Sequence, residues 1–205
     1  MPKIDLRKEL RHLYNPSLKG FAIVEVPPLN FLMLDGRGDP NTAPVYVEAL
    51  QALYGLSYTV KFTSKKKLGI DYTVMALEGL WWADDMDDFL TPNKDCWQWT
   101  MMMLQPEHIS ADMLEEARAE VARRRGDSAA LAQARLERFH EGLSVQIMYL
   151  GAYADEGPTI LRMHEFIREN GYVPSGKHHE IYLGDPRRTA PEKLKTVIRQ
   201  PVRQA

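Results

Sequence analysis

One order of elements occurs twice in this chain, and that duplication constrains its architecture more than any other feature. LDGRGDPNTAPVYVEALQALYGLSY runs from an apolar strand through a glycine-acid turn into a helix ending in Gly-x-x-Tyr. LGAYADEGPTILRMHEFIRENGYV does nearly the same and ends in Gly-Tyr. Around the first copy, FAIVEV and NFLMLDG read as short strands parted by Pro27-Pro28, and DYTVMALEGLWW and CWQWTMMMLQP as later ones. Around the second, LSVQIMYLGAY, KHHEIYLGD and LKTVIRQPV are strands, and PTILRMHEFIRENGY is a helix opened by Pro158 and closed by Gly171. The order strand, helix, strand, strand thus appears twice. Two such modules, each an antiparallel sheet backed by a helix, keep one sheet face free for a shared groove. The expected fold is α+β, with two pseudo-twofold-related modules, a central ligand cleft and two inserted helices.

The expected boundaries follow from this rhythm. The chain reads as a single domain over 1–205, with a first module at 20–106, inserted helices at 107–142 and a second module at 143–205. Residues 3–20 are an arm leading into the fold. Pro44 stands where a first helical turn tolerates proline, with Thr42 placed to cap it. KFTSKKKLGI is a basic loop, and ADDMDDFLTPNKD an acidic one. SADMLEEARAEVARRRGDS and AALAQARLERFHEG read as the two inserted helices, with Gly126-Asp127-Ser128 as break and new cap. Helices of this kind either cap a cleft or form a homodimer contact.

Composition narrows the class of function. Lys plus Arg number 26 and Asp plus Glu 28, a net charge of 26 − 28 = −2, which argues against a dedicated nucleic-acid binder. Cys96 is the one cysteine, so an intrachain disulfide and a cysteine-clustered zinc site are excluded. No apolar run approaches the roughly 18 residues of a membrane span, and the start lacks a secretory stretch. The expectation is a soluble, cytoplasmic protein without a membrane or nucleic-acid partner.

Strand alternation assigns faces. In KHHEIYLGD, His179, Ile181 and Leu183 form one set and His178, Glu180 and Tyr182 the other. The aliphatic set is expected to cover the helix, leaving Glu180 on the open face. Trp97, Trp99, Met101 and Met103 share a face of CWQWTMMMLQP. Val145, Ile147, Tyr149 and Tyr153 share one on SVQIMYLGAY, and Trp81 or Trp82 faces the cleft. Aromatic rings with one carboxylate suit a flat or cationic organic molecule through stacking, cation–π attraction and charge. The candidate ligand residues are Glu180, Trp81, Trp99, Tyr149, Tyr153, Tyr182, His178 and Met101. The competing structural reading is that tryptophans and methionines in strands are core.

Other chemistries find no support. His178 and His179 point to opposite strand faces, and His12, His108, His140 and His164 are scattered, so neither a metal nor a cofactor is expected. HEF is not HExxH, DGRGD lacks the third glycine of a dinucleotide turn, and no Gly-x-Ser-x-Gly elbow occurs.

EGLWW, WQWTMMMLQP, QIMYLGAYADE and above all HHEIYLGDPRR resemble the GyrI-like small-molecule-binding family, whose relatives include effector-binding domains of BmrR-type and Rob-type regulators. The similarity runs from about residue 20 to the end and looks closest to the stand-alone branch. It implies a late-strand glutamate, here Glu180, that contacts cationic or flat drug-like ligands in an aromatic cleft. Some stand-alone members hydrolyse cyclopropane-bearing alkylating natural products with a cleft glutamate. The resemblance therefore implies first the binding of hydrophobic, often cationic or flat polycyclic molecules of the multidrug type, with a detoxifying hydrolase that uses Glu180 as catalytic base as the alternative. In that chemistry an apolar pocket is expected to push the Glu180 pKa upward. Tyr149 or Tyr153 is expected to donate to the carbonyl that gains charge, while Trp81 and Trp99 stack on the substrate.

Overall fold

A computed structural model describes residues 3–84 and 94–205. The acidic loop expected at 83–95 therefore lies largely outside the described residues. The fold is α+β, with antiparallel strand pairs and one short parallel pair among the described residues, and the chain divides into two compact units.

The first unit comprises Met1–Glu9, Leu29–Met75 and Gly79–Phe139. Its β1 (Lys3–Ile4) pairs in parallel with β4 (Asp71–Tyr72), so the expected arm opens on a strand, followed by α1 (Leu6–Glu9). Strand β3 (Leu29–Arg37) carries β6 (Gln98–Leu104) on one side and β7 (Arg135–Phe139) on the other, both antiparallel. Helix α3 (Pro44–Leu68) buries Ala49, Leu53, Leu56 and Val60 at helical spacing, and Ser57 donates to the Met103 sulfur at 3.4 Å. Pro44 opens the helix as expected, whereas Thr42 is not its cap: Ala43 holds that position without a side-chain bond.

Two sequence expectations fail in this unit. KFTSKKKLGI is not a loop, because α3 continues to Leu68 and ends on Gly69 at φ +69°. Val60 and Ser64 keep the buried stripe in phase through the lysine run, and the lysines sit in the last turn, where cations suit the helix dipole. The second inserted helix is also shorter than expected. Helix α4 (Ala111–Arg125) is capped by Ser110, and α5 (Ala129–Gln133) by Ser128, but Arg135–Phe139 is extended as β7. Pairing with Leu29–Met33 outweighs the helix propensity of Arg135, Leu136, Glu137 and Arg138.

The second unit comprises Leu10–Pro28, Ala76–Glu78 and His140–Ala205. It holds α2 (Arg11–Tyr14), β2 (Ala22–Val26), β8 (Gly142–Leu150), α6 (Gly157–Glu169), β9 (Tyr172–Pro174), β10 (His178–Tyr182) and β11 (Lys195–Gln204). The strands run in the order β2-β8-β11-β10, with β9 also on β11. DYTVMALEGLWW is not one strand. It splits into β4 and β5 (Leu77–Trp82), with Leu77 and Glu78 in the second unit and Gly79–Trp82 in the first. Met163 and Ile167 of α6 close a core with Val145, Ile147, Ile198 and Val202.

Candidate functional site

The register of β10 decides what Glu180 faces. Glu180 stands opposite Ile198 and Ile198 opposite Ile147; Tyr182 stands opposite Thr196 and Thr196 opposite Tyr149. Opposed residues share a sheet face. Glu180 therefore lies on the face that α6 covers, beside the Ile147–Ile198–Met163 core. The expectation that His179 and Ile181 would meet the helix is overturned. Two aliphatic residues in a strand mark a buried face, and His179 and Ile181 are the more buried pair, but burial alone does not say which element covers them.

On this face His178, Glu180 and Tyr182 form one group. Nε2 of His178 lies 3.2 Å from Glu180 Oε1, and the Tyr182 hydroxyl donates to Oε2 at 2.8 Å. Residues two apart on a strand meet in this way without help from the rest of the fold. The Tyr153 ring packs edge-on against Tyr182 at 5.3 Å. The Glu180 side chain keeps 17% of its exposure, enough for a ligand to touch it. Burial opposes its ionisation, but the bonds from His178 and Tyr182 outweigh burial and lower its pKa. That reverses the upward shift expected from an apolar pocket: donors on both oxygens stabilise the carboxylate.

The raised carboxyl is Glu156, at the head of α6. It is 3% exposed, caps nothing with its side chain, and its Oε1 has no hydrogen-bond partner. Burial, reinforced by the Glu180 charge beside it, lifts its pKa to about 9. Thr196 stands near enough to moderate that shift, yet its buried hydroxyl meets no hydrogen-bond geometry. Tyr149 donates to the Ala152 carbonyl at 3.3 Å, so its hydroxyl is engaged in the turn. Glu156 was not a sequence candidate: in ADEGP it reads as a solvated turn acid.

The opposite face carries a buried ionic network. His179 has Nδ1 2.9 Å from Glu141 and Nε2 3.1 Å from Glu78. Arg199 donates to Glu141 at 2.9 Å, to Gln146 at 3.1 Å and to the Leu13 carbonyl at 2.9 Å. The Tyr14 hydroxyl donates to Glu78 at 2.6 Å. Burial penalises both charges, yet Glu141 lifts the His179 pKa to about 9, and His179 and Arg199 hold Glu141 at about 2. Each acid of this network has a basic partner and each base an acidic one, which marks it as structural.

Trp81, Trp99 and Met101 belong to the first unit. Trp99 is wholly buried, meets Tyr46 of α3 edge-on at 5.2 Å and covers Gly36. Trp81 contacts Tyr46 at 6.2 Å and Trp97 at 5.9 Å. Met101 is also fully buried. The structure thus gathers Glu180, His178, Tyr182 and Tyr153 in one unit, with Tyr149 in register, and the tryptophans in another cluster. A separate groove of about 270 Å³ in the second unit is lined by Leu18, Ile147, Tyr149, Leu150, Thr159 and Arg162, and by neither glutamate. Among the described residues no trio of His, Cys, Asp or Glu is placed to hold a metal, and no helix is long and apolar enough to cross a membrane.

Comparison with known proteins now defines the class. The model of the GyrI-like small molecule binding domain matches residues 21–203, and the chain belongs to that family. An uncharacterized conserved protein from Listeria innocua is 37% identical, with a TM-score of 0.89 over 98% of this chain and 100% of that one. A hydrolase from Listeria innocua is also 37% identical, with a TM-score of 0.85 over 98% and 100% of the two chains. The EcmrR C-terminal domain, at 10% identity, shares the fold with a TM-score of 0.55 over 91% of this chain and 98% of that one. No curated protein matches the chain.

Proposed function

We propose that this protein is a hydrolase of flat, electrophilic small molecules, and that Glu180 is the base of its site. The observation that carries the reading is a part-exposed carboxylate with His178 against one oxygen and the Tyr182 hydroxyl donating to the other. The likeness to a Listeria innocua hydrolase along nearly the whole chain supports it. The substrate class suggested by the family resemblance is a cyclopropane conjugated to a carbonyl. Glu180 takes a proton from water, the water oxygen bonds to a ring carbon, and the strained C–C bond breaks. Its electron pair moves to the carbonyl oxygen, which is then protonated. His178 and Tyr182 fix the carboxylate so that its remaining lone pairs face the water.

The test is turnover of a spirocyclopropyl dienone in ¹⁸O water. Many equivalents of ring-opened alcohol carrying the label are expected from the parent protein. Glu180→Gln is expected to lose on the order of 10²–10⁴-fold in kcat, the usual worth of general-base catalysis. Consumption that stops at one equivalent would sink the enzyme reading.

A second reading, binding without chemistry, rests on the same ionised group. A buried carboxylate is a counter-charge for a hydrophobic cation. On this reading Glu180→Gln weakens a cationic polycyclic dye by roughly 1–3 kcal/mol in a fluorescence titration. Unchanged affinity would count against it.

A further inference from the structure

We infer that Glu156 is the proton donor of this site, working beside Glu180 as the acid of an acid–base pair. The inference rests on the hydrolase reading and assigns the proton that the opening ring must receive.

Both oxygens of Glu180 have partners in His178 and Tyr182, whereas Glu156 Oε1 has none and its carboxyl is 97% removed from solvent. A carboxylate so placed, with another beside it, is not sustained as an anion; it keeps its proton. The buried, unpartnered hydroxyl of Thr196 lies on the same face, opposite Tyr182 in register. Two adjacent acids pushed to opposite protonation states divide the labour of acid and base. Tyr149, one of the two tyrosines expected as donors, already gives its hydrogen to Ala152.

Glu180 from β10 and Thr196 from β11 act on Glu156 directly, its charge acts in turn on Tyr149 of β8, and Asp155 precedes it in the turn. Burial, together with His178 and Arg168, lowers the His164 pKa, so His164 does not add a positive charge that would ionise Glu156 at neutral pH. In the reaction the Glu156 O–H breaks and the proton passes to the carbonyl oxygen that receives the ring electrons. The proton that Glu180 takes from water then resets the pair.

The experiment compares the parent, Glu156→Gln, Glu156→Asp and Glu180→Gln on the spirocyclopropyl dienone across pH, beside infrared spectra of each protein. The parent is expected to lose kcat as pH rises through about 9, and to show a protonated-carboxyl band at neutral pH that Glu156→Gln lacks. Glu156→Gln is expected to lose on the order of 10²–10⁴-fold in kcat with little change in KM, and to lose the alkaline limb. Glu156→Asp, which retains a transferable proton, keeps the limb. A Glu156→Gln protein as fast as the parent, with Glu180→Gln inactive, overturns this inference alone. Absence of the infrared band overturns it as well, even if the glutamine variant fails to fold. A Glu180→Gln protein that turns over like the parent overturns the underlying hydrolase reading.

Discussion

Arg199 and Gly36 show how little freedom single positions have. Arg199 is 2% exposed and serves Glu141, Gln146 and the Leu13 carbonyl together. Replacing it with methionine leaves Glu141 buried with only His179 for a partner. A loss of about 3–5 kcal/mol is expected in urea unfolding, the usual result of breaking a buried ion pair from one side. Gly36 is constrained by shape: a Cβ there would sit 2.1 Å from the Trp99 ring. Gly36→Ala is expected to cost about 1–3 kcal/mol, because the ring is closed in by Tyr46 and cannot retreat. Measured stability equal to the parent's would mean that Trp99 has another rotamer open to it.

Among the elements, α3 and β10 differ in what local sequence could say about them. The end of α3 depends on a glycine in the left-handed region, with nothing within 4 Å of the position a Cβ would take. Gly69→Ala is therefore expected to lose about 1–2 kcal/mol from backbone strain alone, read as a lower Tm with unchanged near-ultraviolet dichroism. The extent of α3 was missed because a lysine run looks solvated, and it is solvated, but on a helix whose other side stays buried. In β10 alternation grouped His178, Glu180 and Tyr182 correctly, since that grouping is a property of any strand. Which face the helix covers was not legible, because it depends on β11 and β8 lying in register beside it.

Across the fold, three titrating groups give stability a pH dependence with a definite sign. His179 and Glu156 both reach about 9, above their ordinary values near 6.5 and 4.5. Their contributions are full below those ordinary values and lost as pH rises through about 9. Glu141, held at about 2, contributes above 4.5 and loses its effect only as pH falls through 2. Thermal melts from pH 5 to 10 are expected to show Tm falling on the alkaline side. The fall should be shallower in Glu156→Gln, which no longer takes part in it. A parent profile flat between pH 6.5 and 9 would mean that His179 and Glu156 are not held as described.

Local chemistry was sufficient for most of the alternating strands, the helices opened by Pro44 and Pro158, the Ser128 cap and the triplet around Glu180. Each depends on residues within a turn or two of one another, so its signal lies in adjacent letters. The resemblance carried by HHEIYLGDPRR extended that reading to a family that the chain does belong to. Pairing across the chain decided the rest. Glu156 is an ordinary turn acid until the fold sets it beside Glu180, 24 positions on, and buries it. Glu78, Glu141, His179 and Arg199 are scattered charges until three strands and the turn before β8 bring them to one buried point. The free energy of a charge is set by its distance to other charges and to solvent, and for these residues both distances are made by segments far apart in the chain.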